Sequence, residues 1–318
     1  MIMARIYRST DAEAPTVAGN DNTALIRLLT ACLIDGYGSK TPAGGWTKPF
    51  GNAAGNAAVF RNDFAGGATG FYLRLDSTGA TYRNNVQCYE GMSDVNTGVF
   101  PFPLAAVSVD ASSGINSIAR PWVVVATHTF CLVLIWPYAT SQPARSQVGR
   151  SEIYSTGFFF GDIERRFPSD AFACVFAQVG QGNCFGAVYH SSIVSAATYN
   201  NYWMPRKSGG ASGAMAHYGF LPHPASGVSC AGASGAGFDA ASGLLCSKLA
   251  LNDGATYTLR GWLPEIIIPL HCRPFEHLER VSIPDGDLAG NYVALLYSQG
   301  SNNSAYVGEL LVKLDDGE

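Results

Sequence analysis

The segment Pro121-Trp122-Val123-Val124-Val125-Ala126-Thr127-His128-Thr129-Phe130-Cys131-Leu132-Val133-Leu134-Ile135-Trp136-Pro137 is the longest nearly continuous apolar stretch of the chain. Polar residues interrupt it at 127–129, prolines flank it, and β-branched residues dominate its first half. A helix that spans a bilayer needs about 20 consecutive apolar residues. The pattern therefore predicts two short, deeply buried strands, Trp122–Val125 and Phe130–Trp136, joined by a turn.

Working outward from this segment, several other short stretches are typical of strands. Phe71–Leu75 alternates between apolar and polar positions, and Asp76–Gly79 is predicted to turn the chain back into a strand over 82–88. Further strands are predicted at Phe158–Phe160, Ala171–Val179, Tyr292–Tyr297 and Tyr306–Leu314. Many short strands separated by Gly, Pro and Asn predict a mainly β fold of antiparallel sheets, similar to a β-sandwich.

One short amphipathic helix is predicted near the N-terminus, over about residues 23–35. Asp21, Asn22 and Thr23 offer side-chain oxygens for its N-cap, and Gly36 provides a stop signal at its C-terminal end. The apolar residues between them recur with helical spacing along one face: Leu25, Ile26, Leu28, Leu29, Cys32 and Leu33. Because an isolated helix of this length is not stable in water, we expect this face to pack against another part of the protein.

The segment 208–243 differs from the rest, since 24 of its 36 residues are Gly, Ala or Ser. A flexible linker is one interpretation, and an irregular segment that becomes ordered against a neighbour is the other. The segment is also the best candidate for a domain boundary. We therefore predict a β-rich N-terminal region over 1–207, a connecting segment over 208–243 and a C-terminal β region over 244–318, with the two β regions either separate or packed into one domain.

The composition is unusual in its low charge. Only 14% of residues are charged, against about 25% in typical domains, while 47% are hydrophobic. Either the surface is rich in neutral polar groups, or much of it is covered by other subunits. The net charge of −4 argues against a nucleic-acid partner, which would require a basic surface. The eight cysteines include no C-x-x-C pair and are interpreted as buried free thiols of a protein folded in a reducing cytosol.

No pattern in the chain indicates catalysis, a cofactor or a metal site. The six histidines lack the spacing of a helical zinc motif, and no G-x-S-x-G string is present. Asp162 and Glu164 follow the Phe158–Phe160 strand, and we expect them to pair with Arg165 or Arg166 on the surface. The prediction is a protein that is not an enzyme.

Aromatic residues and arginine are the remaining candidates for binding. Each of the five tryptophans lies beside or close to Pro or Gly, where tryptophan serves either to fill the core or to anchor an interface. Both roles stay open at this point. The residues selected as interface or binding candidates are Trp46, Arg120, Trp122, Trp203 and Trp262.

Seven strings of the sequence resemble a family of structural, tail-associated virion proteins of tailed bacteriophages and prophages. The resemblance runs over most of the chain and becomes sparse between about 185 and 255. The strings that carry it are Leu33–Lys40, Gly45–Phe50, Tyr72–Asp76, Tyr89–Gly98, Ala119–Trp122, Phe159–Ile163 and Pro269–Phe275. Several relatives carry an insert between the helix and the Gly45–Phe50 string that this chain lacks. The resemblance implies an assembly role and brings no catalytic residues with it.

The function implied by this resemblance is a structural component of a virion that is assembled in the cytoplasm of a host bacterium. The position implied is the tail, baseplate or neck, and decoration of the head is a variant of the same role. Partners would be other copies of the chain and other virion proteins, with no membrane and no nucleic acid. Two alternatives stay open: a tail module that binds a host receptor or glycan, and an enzyme that degrades glycan or cell wall through a pair of carboxylates.

Overall fold

The computed structural model describes residues 4–80, 83–101, 105–108, 117–144, 146, 154–179, 202–206, 212–217, 219–220, 246–253, 258–269, 275–284, 286–299 and 306–314. In these ranges the chain forms one helix, α1 (Ala24–Thr30), which continues as a π-helical segment (Ala31–Asp35). The strands are β1 (Arg5–Arg8), β2 (Thr47–Gly51), β3 (Ala57–Arg61), β4 (Tyr72–Ala80), β5 (Arg83–Asp94), β6 (Thr97–Pro101), β7 (Ala105–Ser108), β8 (Trp122–Ala126), β9 (Phe130–Ile135), β10 (Thr156–Asp162), β11 (Glu164–Arg165), β12 (Cys174–Val179), β13 (Tyr202–Arg206), β14 (Ser212–His217), β15 (Gly219–Phe220), β16 (Cys246–Asp253), β17 (Thr258–Pro269), β18 (Arg280–Ile283), β19 (Gly290–Gln299) and β20 (Tyr306–Lys313).

The strands form three antiparallel sheets. The central sheet has the order β1-β8-β9-β10-β12-β13-β14. The N-terminal sheet has the order β2-β3-β4-β5-β6, with β7 also paired to β5. The C-terminal sheet has the order β15-β16-β17-β20-β19-β18, with β11 paired to β17. A mainly β fold with antiparallel sheets and one short helix is therefore confirmed.

The strands β8, β9 and β10 of the central sheet are buried on both faces, which explains why they are almost entirely apolar. All residues of β8, β9 and β10 are buried. Because successive side chains of a strand point to opposite faces, alternate residues join different cores. One core includes Val124, Ala126, Cys131, Val133, Phe158, Phe160, Cys174 and Phe176. The other includes Val123, Val125, Phe130, Leu132, Leu134, Phe159, Val175 and Ala177.

The first of these cores is completed by the helix and the N-terminal sheet. Leu25, Leu29 and Cys32 of the helical region pack in it, together with Phe60 of β3 and Leu73 of β4. The predicted end of the helix is confirmed. Gly36 follows Asp35 with a φ of 81°, and a Cβ there would lie 2.6 Å from the carbonyl oxygen of Lys40, so the turn requires glycine.

The second core is completed by the C-terminal sheet. Leu263 and Ile266 of β17 pack in it, together with Val293 and Leu295 of β19 and Val312 of β20. The C-terminal sheet thus shares a core with the central sheet. Of the segment 208–243, the structure describes only β14 and β15, which pair in the central and the C-terminal sheet, respectively. The division of the chain into domains stays a prediction.

The predicted hairpins are present, with one correction. β19 pairs with β20 and β8 pairs with β9, as expected. β4 also pairs with β5, but the predicted turn Asp76–Gly79 lies within β4, which continues to Ala80. The register of this pair shifts between Asp76 and Ala80, at a bulge or a similar irregularity of the ladder, and Ala80 pairs with Arg83.

The cysteines whose side chains are described are free and buried: Cys32, Cys88, Cys131 and Cys174. Burial raises the pKa of each of these thiols, so they stay protonated at neutral pH and act as small apolar side chains. The side chain of Cys246 and the whole of Cys184, Cys230 and Cys272 lie outside the described residues. Within the described ranges, no helix is long and apolar enough to cross a membrane.

Candidate functional site

The structure places two of the predicted tryptophans inside the first core. Trp46 donates a hydrogen bond from Nε1 to the carbonyl oxygen of Thr127 (2.6 Å), and its ring centre lies 6.1 Å from that of Phe160. Trp122 is fully buried and donates from Nε1 to the carbonyl oxygen of Pro15 (2.9 Å). Of the two roles that the sequence left open, the burial of these rings within one chain supports core packing.

The other three candidates are placed differently. Arg120 is only 7% exposed and donates from Nη1 to the carbonyl oxygen of Ala139 (3.2 Å), so it also packs within the chain. Trp262 lies half-buried on β17, opposite Glu164 of β11. Trp203 lies on β13 opposite Phe176, and its side chain is outside the described residues. The interface role of all five residues stays a prediction.

The candidate site lies instead at one end of the central sheet, where three connections meet. They are residues 62–70 of the connection between β3 and β4, residues 127–129 between β8 and β9, and residues 163–173 between β10 and β12, a stretch that includes β11. Together they are called the loop end. The backbone N–H of Asp63 donates to the carbonyl oxygen of His128 (3.0 Å), and that of Asp162 donates to the carbonyl oxygen of Thr129 (3.1 Å). The loop end is therefore built on the rigid scaffold of two sheets.

Asp162 fixes the first loop of this end to the central sheet. Its carboxylate accepts hydrogen bonds from the backbone N–H of Thr69 (2.7 Å), the hydroxyl of Thr69 (2.5 Å) and Nδ2 of Asn62 (2.9 Å). Arg165 lies 3.2 Å from the same carboxylate. Burial raises the pKa of Asp162, although these hydrogen bonds and the Arg165 charge act in the opposite direction.

This arrangement corrects part of the expectation for the two acidic residues. Asp162 does pair with Arg165, but its side chain is only 8% exposed and serves as an internal anchor rather than a surface group. Glu164 pairs with Lys248 of β16 (2.7 Å) and not with an arginine, and this second pair is on the surface. Arg165 and Arg166 were expected as partners because they follow Glu164 in the sequence. The pairing of β11 and β16 with β17 instead places Lys248 near Glu164.

A buried ion pair fixes the second loop. The Arg260 side chain is fully buried, and its Nε and Nη2 donate to the two carboxylate oxygens of Asp170 at 2.6 Å and 2.9 Å. The carbonyl oxygen of Arg260 also accepts a hydrogen bond from the backbone N–H of Arg166 (2.9 Å). A bidentate pair of this kind has a defined geometry, so it holds the loop between Arg166 and Asp170 in one position.

Each of these two fixed loops exposes a phenylalanine with an arginine against its ring. Phe64 is 61% exposed, and the Arg61 guanidinium lies 4.9 Å from its ring centre and 5.0 Å from that of Tyr72. Phe167 is 46% exposed, with the Arg166 guanidinium 5.6 Å from its ring centre. Exposed aromatic side chains and arginines on rigid loops are the residue types that contribute most to protein interfaces.

The side chains exposed at the loop end are suited to forming contacts with a partner. Its guanidinium groups can donate to carbonyl and carboxylate oxygens, and its exposed rings can fill an apolar pocket or stack on a flat surface. Among the described residues, no group of three His, Cys, Asp or Glu side chains is arranged to hold a metal ion. The arrangement is therefore described as a candidate binding surface.

Comparisons with known proteins add no relative of this chain. No protein-family model matches the sequence, and no curated protein matches it.

The sequence reasoning missed Phe64 and Phe167, although a local signal was present. Phe64 is the only large apolar residue in the loop over 62–70, which otherwise consists of Asn, Asp, Thr, Gly and Ala. Phe167 lies between Arg166 and Pro168 in a similarly polar stretch. A lone phenylalanine in a polar loop is a candidate for an exposed contact residue, since a buried loop would leave backbone polar groups unsatisfied.

The anchoring role of Asp162 gives a first prediction. In Asp162→Asn, the new amide nitrogen cannot accept the hydrogen bonds that one carboxylate oxygen accepts now, so buried donors lose their partner. We expect the free energy of unfolding to fall by roughly 2–3 kcal/mol, measured by urea denaturation, and amide exchange at Thr69 to accelerate. Asp287→Asn, at an exposed position, is the matched control and should change stability by less than about 0.5 kcal/mol. Equal stabilities of the two variants would contradict the anchoring role.

Proposed function

We propose that this protein is a structural component of a tailed-bacteriophage virion, in the tail, baseplate or neck, and that the loop end is one of the surfaces by which it packs against other subunits. The observation that carries the contact role is the pair of exposed phenylalanines, each beside an arginine, on loops fixed by Asp162 and by the Arg260–Asp170 pair. The virion assignment is supported by the family resemblance of the sequence.

The composition of the chain also supports a role in packing between subunits. With 14% charged residues, the chain has fewer ionised groups than a typical soluble domain, and arginine exceeds lysine by 15 to 5. Arginine is enriched and lysine is depleted at protein interfaces, because a planar guanidinium keeps its hydrogen bonds and stacking when water is removed. A subunit whose surface becomes covered on assembly requires less surface charge than one that stays free in solution.

The direct test compares exposed apolar residues at the two ends of the central sheet. We expect a Phe64→Ser, Phe167→Ser double variant to weaken the contact with the neighbouring subunit by about 30-fold or more, the effect of losing an interface residue worth about 2 kcal/mol. Incorporation into particles, measured by mass spectrometry of purified virions from a complementation experiment, should fall accordingly. Thermal unfolding of the free protein should not change, because both rings are exposed.

Ile118→Ser is the matched control for this experiment. Ile118 is also exposed, but it precedes β8 at the opposite end of the central sheet, so its variant should be incorporated normally. Absence of the wild-type protein from purified virions would contradict the virion assignment. Presence of the wild-type protein with normal incorporation of the double variant would contradict the role of the loop end alone.

A receptor-binding or glycan-binding module is the second candidate, and the same exposed rings favour it. An aromatic ring on a rigid loop can stack on the apolar face of a sugar, and the neighbouring arginines can donate to its hydroxyls. In this case the double variant would be incorporated into particles normally, while binding of the purified protein to a glycan array would be lost.

A further inference from the structure

His277 is a partly buried histidine that connects two parts of the fold. It lies in the segment before β18, and its ring centre is 4.8 Å from that of Trp136, edge to face. Nδ1 accepts a hydrogen bond from the backbone N–H of Leu296 on β19 (3.1 Å). Nε2 is 3.2 Å from Oε1 of Gln142, in the segment that follows β9. The ring therefore bridges the C-terminal sheet and the end of the central sheet opposite the loop end.

These contacts determine where the ring carries its proton. Because Nδ1 accepts from a backbone N–H, it is unprotonated, and the proton of the neutral ring lies on Nε2 and is donated to Gln142. The orientation of the Gln142 amide agrees with this assignment. Its Nε2 donates to the carbonyl oxygen of Trp122 (3.4 Å), which can only accept, and to the hydroxyl of Ser9 (2.9 Å), so Oε1 is turned towards the histidine. Both nitrogens of the neutral ring thus have matched partners.

A second proton would disrupt this arrangement. A proton on Nδ1 would face the N–H of Leu296, so that two donors would oppose each other and a backbone N–H would lose its acceptor. The new charge would also lie near the Arg8 guanidinium of β1, which opposes a positive charge on the ring. Among the described residues, the partners that contact the ring from the segment after β9 and from β19 are neutral: Trp136, Gln142 and the backbone of Leu296. On the ring's own segment, Glu279 accepts a hydrogen bond from the backbone N–H of Glu276.

We propose that the neutral ring of His277 stabilises the contact between the C-terminal sheet and the segment after β9, and that this contact is lost when Nδ1 gains a proton. The contact consists of the two hydrogen bonds of the ring and its packing on Trp136, and the nearby Arg8 makes it sensitive to a positive charge on the ring. It is a property of the folded chain and does not depend on the proposed virion role.

The direction of the pH effect follows from the two states of the chain. Burial, with a smaller contribution from Arg8, lowers the pKa of His277 in the folded protein to about 3, whereas the ordinary value of a free histidine is 6.5. Between these values the unfolded chain binds one proton more than the folded chain. The stabilising contribution of the neutral ring is therefore complete above pH 6.5 and is lost progressively as the pH falls towards 3, by about tenfold in the unfolding equilibrium constant per pH unit.

The experiment compares the wild-type protein with His277→Asn, whose Oδ1 can accept from Leu296 but cannot be protonated in this range. Between pH 7 and pH 5, the unfolding equilibrium constant of the wild-type protein, from urea denaturation, should rise about 25-fold more than that of the variant. Val281→Ala, at a buried position of β18 without a titratable group, is the control and should retain the wild-type pH dependence. Equal pH dependence of the wild-type protein and His277→Asn would overturn the proposal.

A second measurement tests the role of His277 in the wild-type protein, so it does not require that His277→Asn folds. In protein labelled with ¹⁵N-histidine, the ring nitrogens of His277 should show the neutral tautomer with the proton on Nε2 from pH 8 down to pH 5. Amide exchange at Leu296, corrected for the intrinsic dependence of exchange on pH, should accelerate as the pH falls over the same range. A ring that titrates with a midpoint near 6.5, or that carries its proton on Nδ1, would overturn the proposal.

Discussion

Replacing Asp170 by asparagine is expected to lower the free energy of unfolding by about 3–5 kcal/mol. The substitution keeps the shape of the side chain but removes the negative charge that faces Arg260, whose own side chain has no exposure to solvent. A buried guanidinium that loses its carboxylate keeps the full cost of leaving water, and the loss is therefore larger than the net value of the pair. The measurement is urea denaturation at neutral pH, monitored by tryptophan fluorescence.

Glu164→Gln is the matched control for this prediction. Glu164 and Lys248 form a pair at 2.7 Å, but their side chains are 48% and 38% exposed. Water and salt screen such a pair, so we expect the control to change stability by less than about 1 kcal/mol. A similar loss in both variants would mean that burial does not distinguish the two pairs. In Asp170→Asn we also expect faster proteolysis near Phe167, because the loop would lose its fixed position.

Gly161→Ala is the second substitution with a large expected effect. Gly161 has a φ of 149°, and a Cβ at this position would lie 2.4 Å from Cα of Phe130 and 2.4 Å from the carbonyl oxygen of Thr129. These are backbone atoms of the neighbouring strand and turn, and the pairing of Gly161 with Phe130 prevents them from moving apart. We expect a loss of about 3 kcal/mol or more in the free energy of unfolding, measured by the same denaturation experiment.

The control for this glycine is Gly51→Ala on the exposed strand β2. A Cβ at Gly51 would make an ordinary contact of 3.6 Å with the carbonyl oxygen of Ala57, so the added methyl group fits without displacement. We expect the control to change stability by less than about 1 kcal/mol. If Gly161→Ala were as stable as Gly51→Ala, the close approach of β9 and β10 at the loop end would not be as described. The comparison thus tests the scaffold that positions Asp162.

The elements of the fold could be predicted where the signal is local. The apolar runs around Val124 and Leu132 indicated buried strands, and the spacing of Leu25, Leu29 and Cys32 indicated a helix. The structure confirms both, because strand and helix formation depend on the direction in which neighbouring side chains point. The prediction of a turn at Asp76–Gly79 is wrong, since these residues have the composition of a turn but lie within the long strand β4, where the register of its pairing with β5 shifts.

The candidate site was harder to predict, because its parts are far apart along the chain. Arg260 lies 90 positions from Asp170, and Asp162 lies 93 positions from Thr69. No spacing rule connects such residues, since sheet pairing alone brings them together. The positions of the tryptophans could not be predicted from local sequence either. The surroundings of Trp46 and Trp122 in the sequence suited a core position and an interface equally, and only the packed structure shows that both rings are buried.

Periodicity and turn residues act over a few positions, so the antiparallel strands, the short helix, the burial of the most apolar strands and the low content of charged residues could be read from the sequence. Burial and charge pairing depend instead on which distant strands become neighbours. For this reason the packing of two different sheets on β8, β9 and β10, the internal role of Asp162 and Asp170, and the exposure of Phe64 and Phe167 are known only from the folded chain.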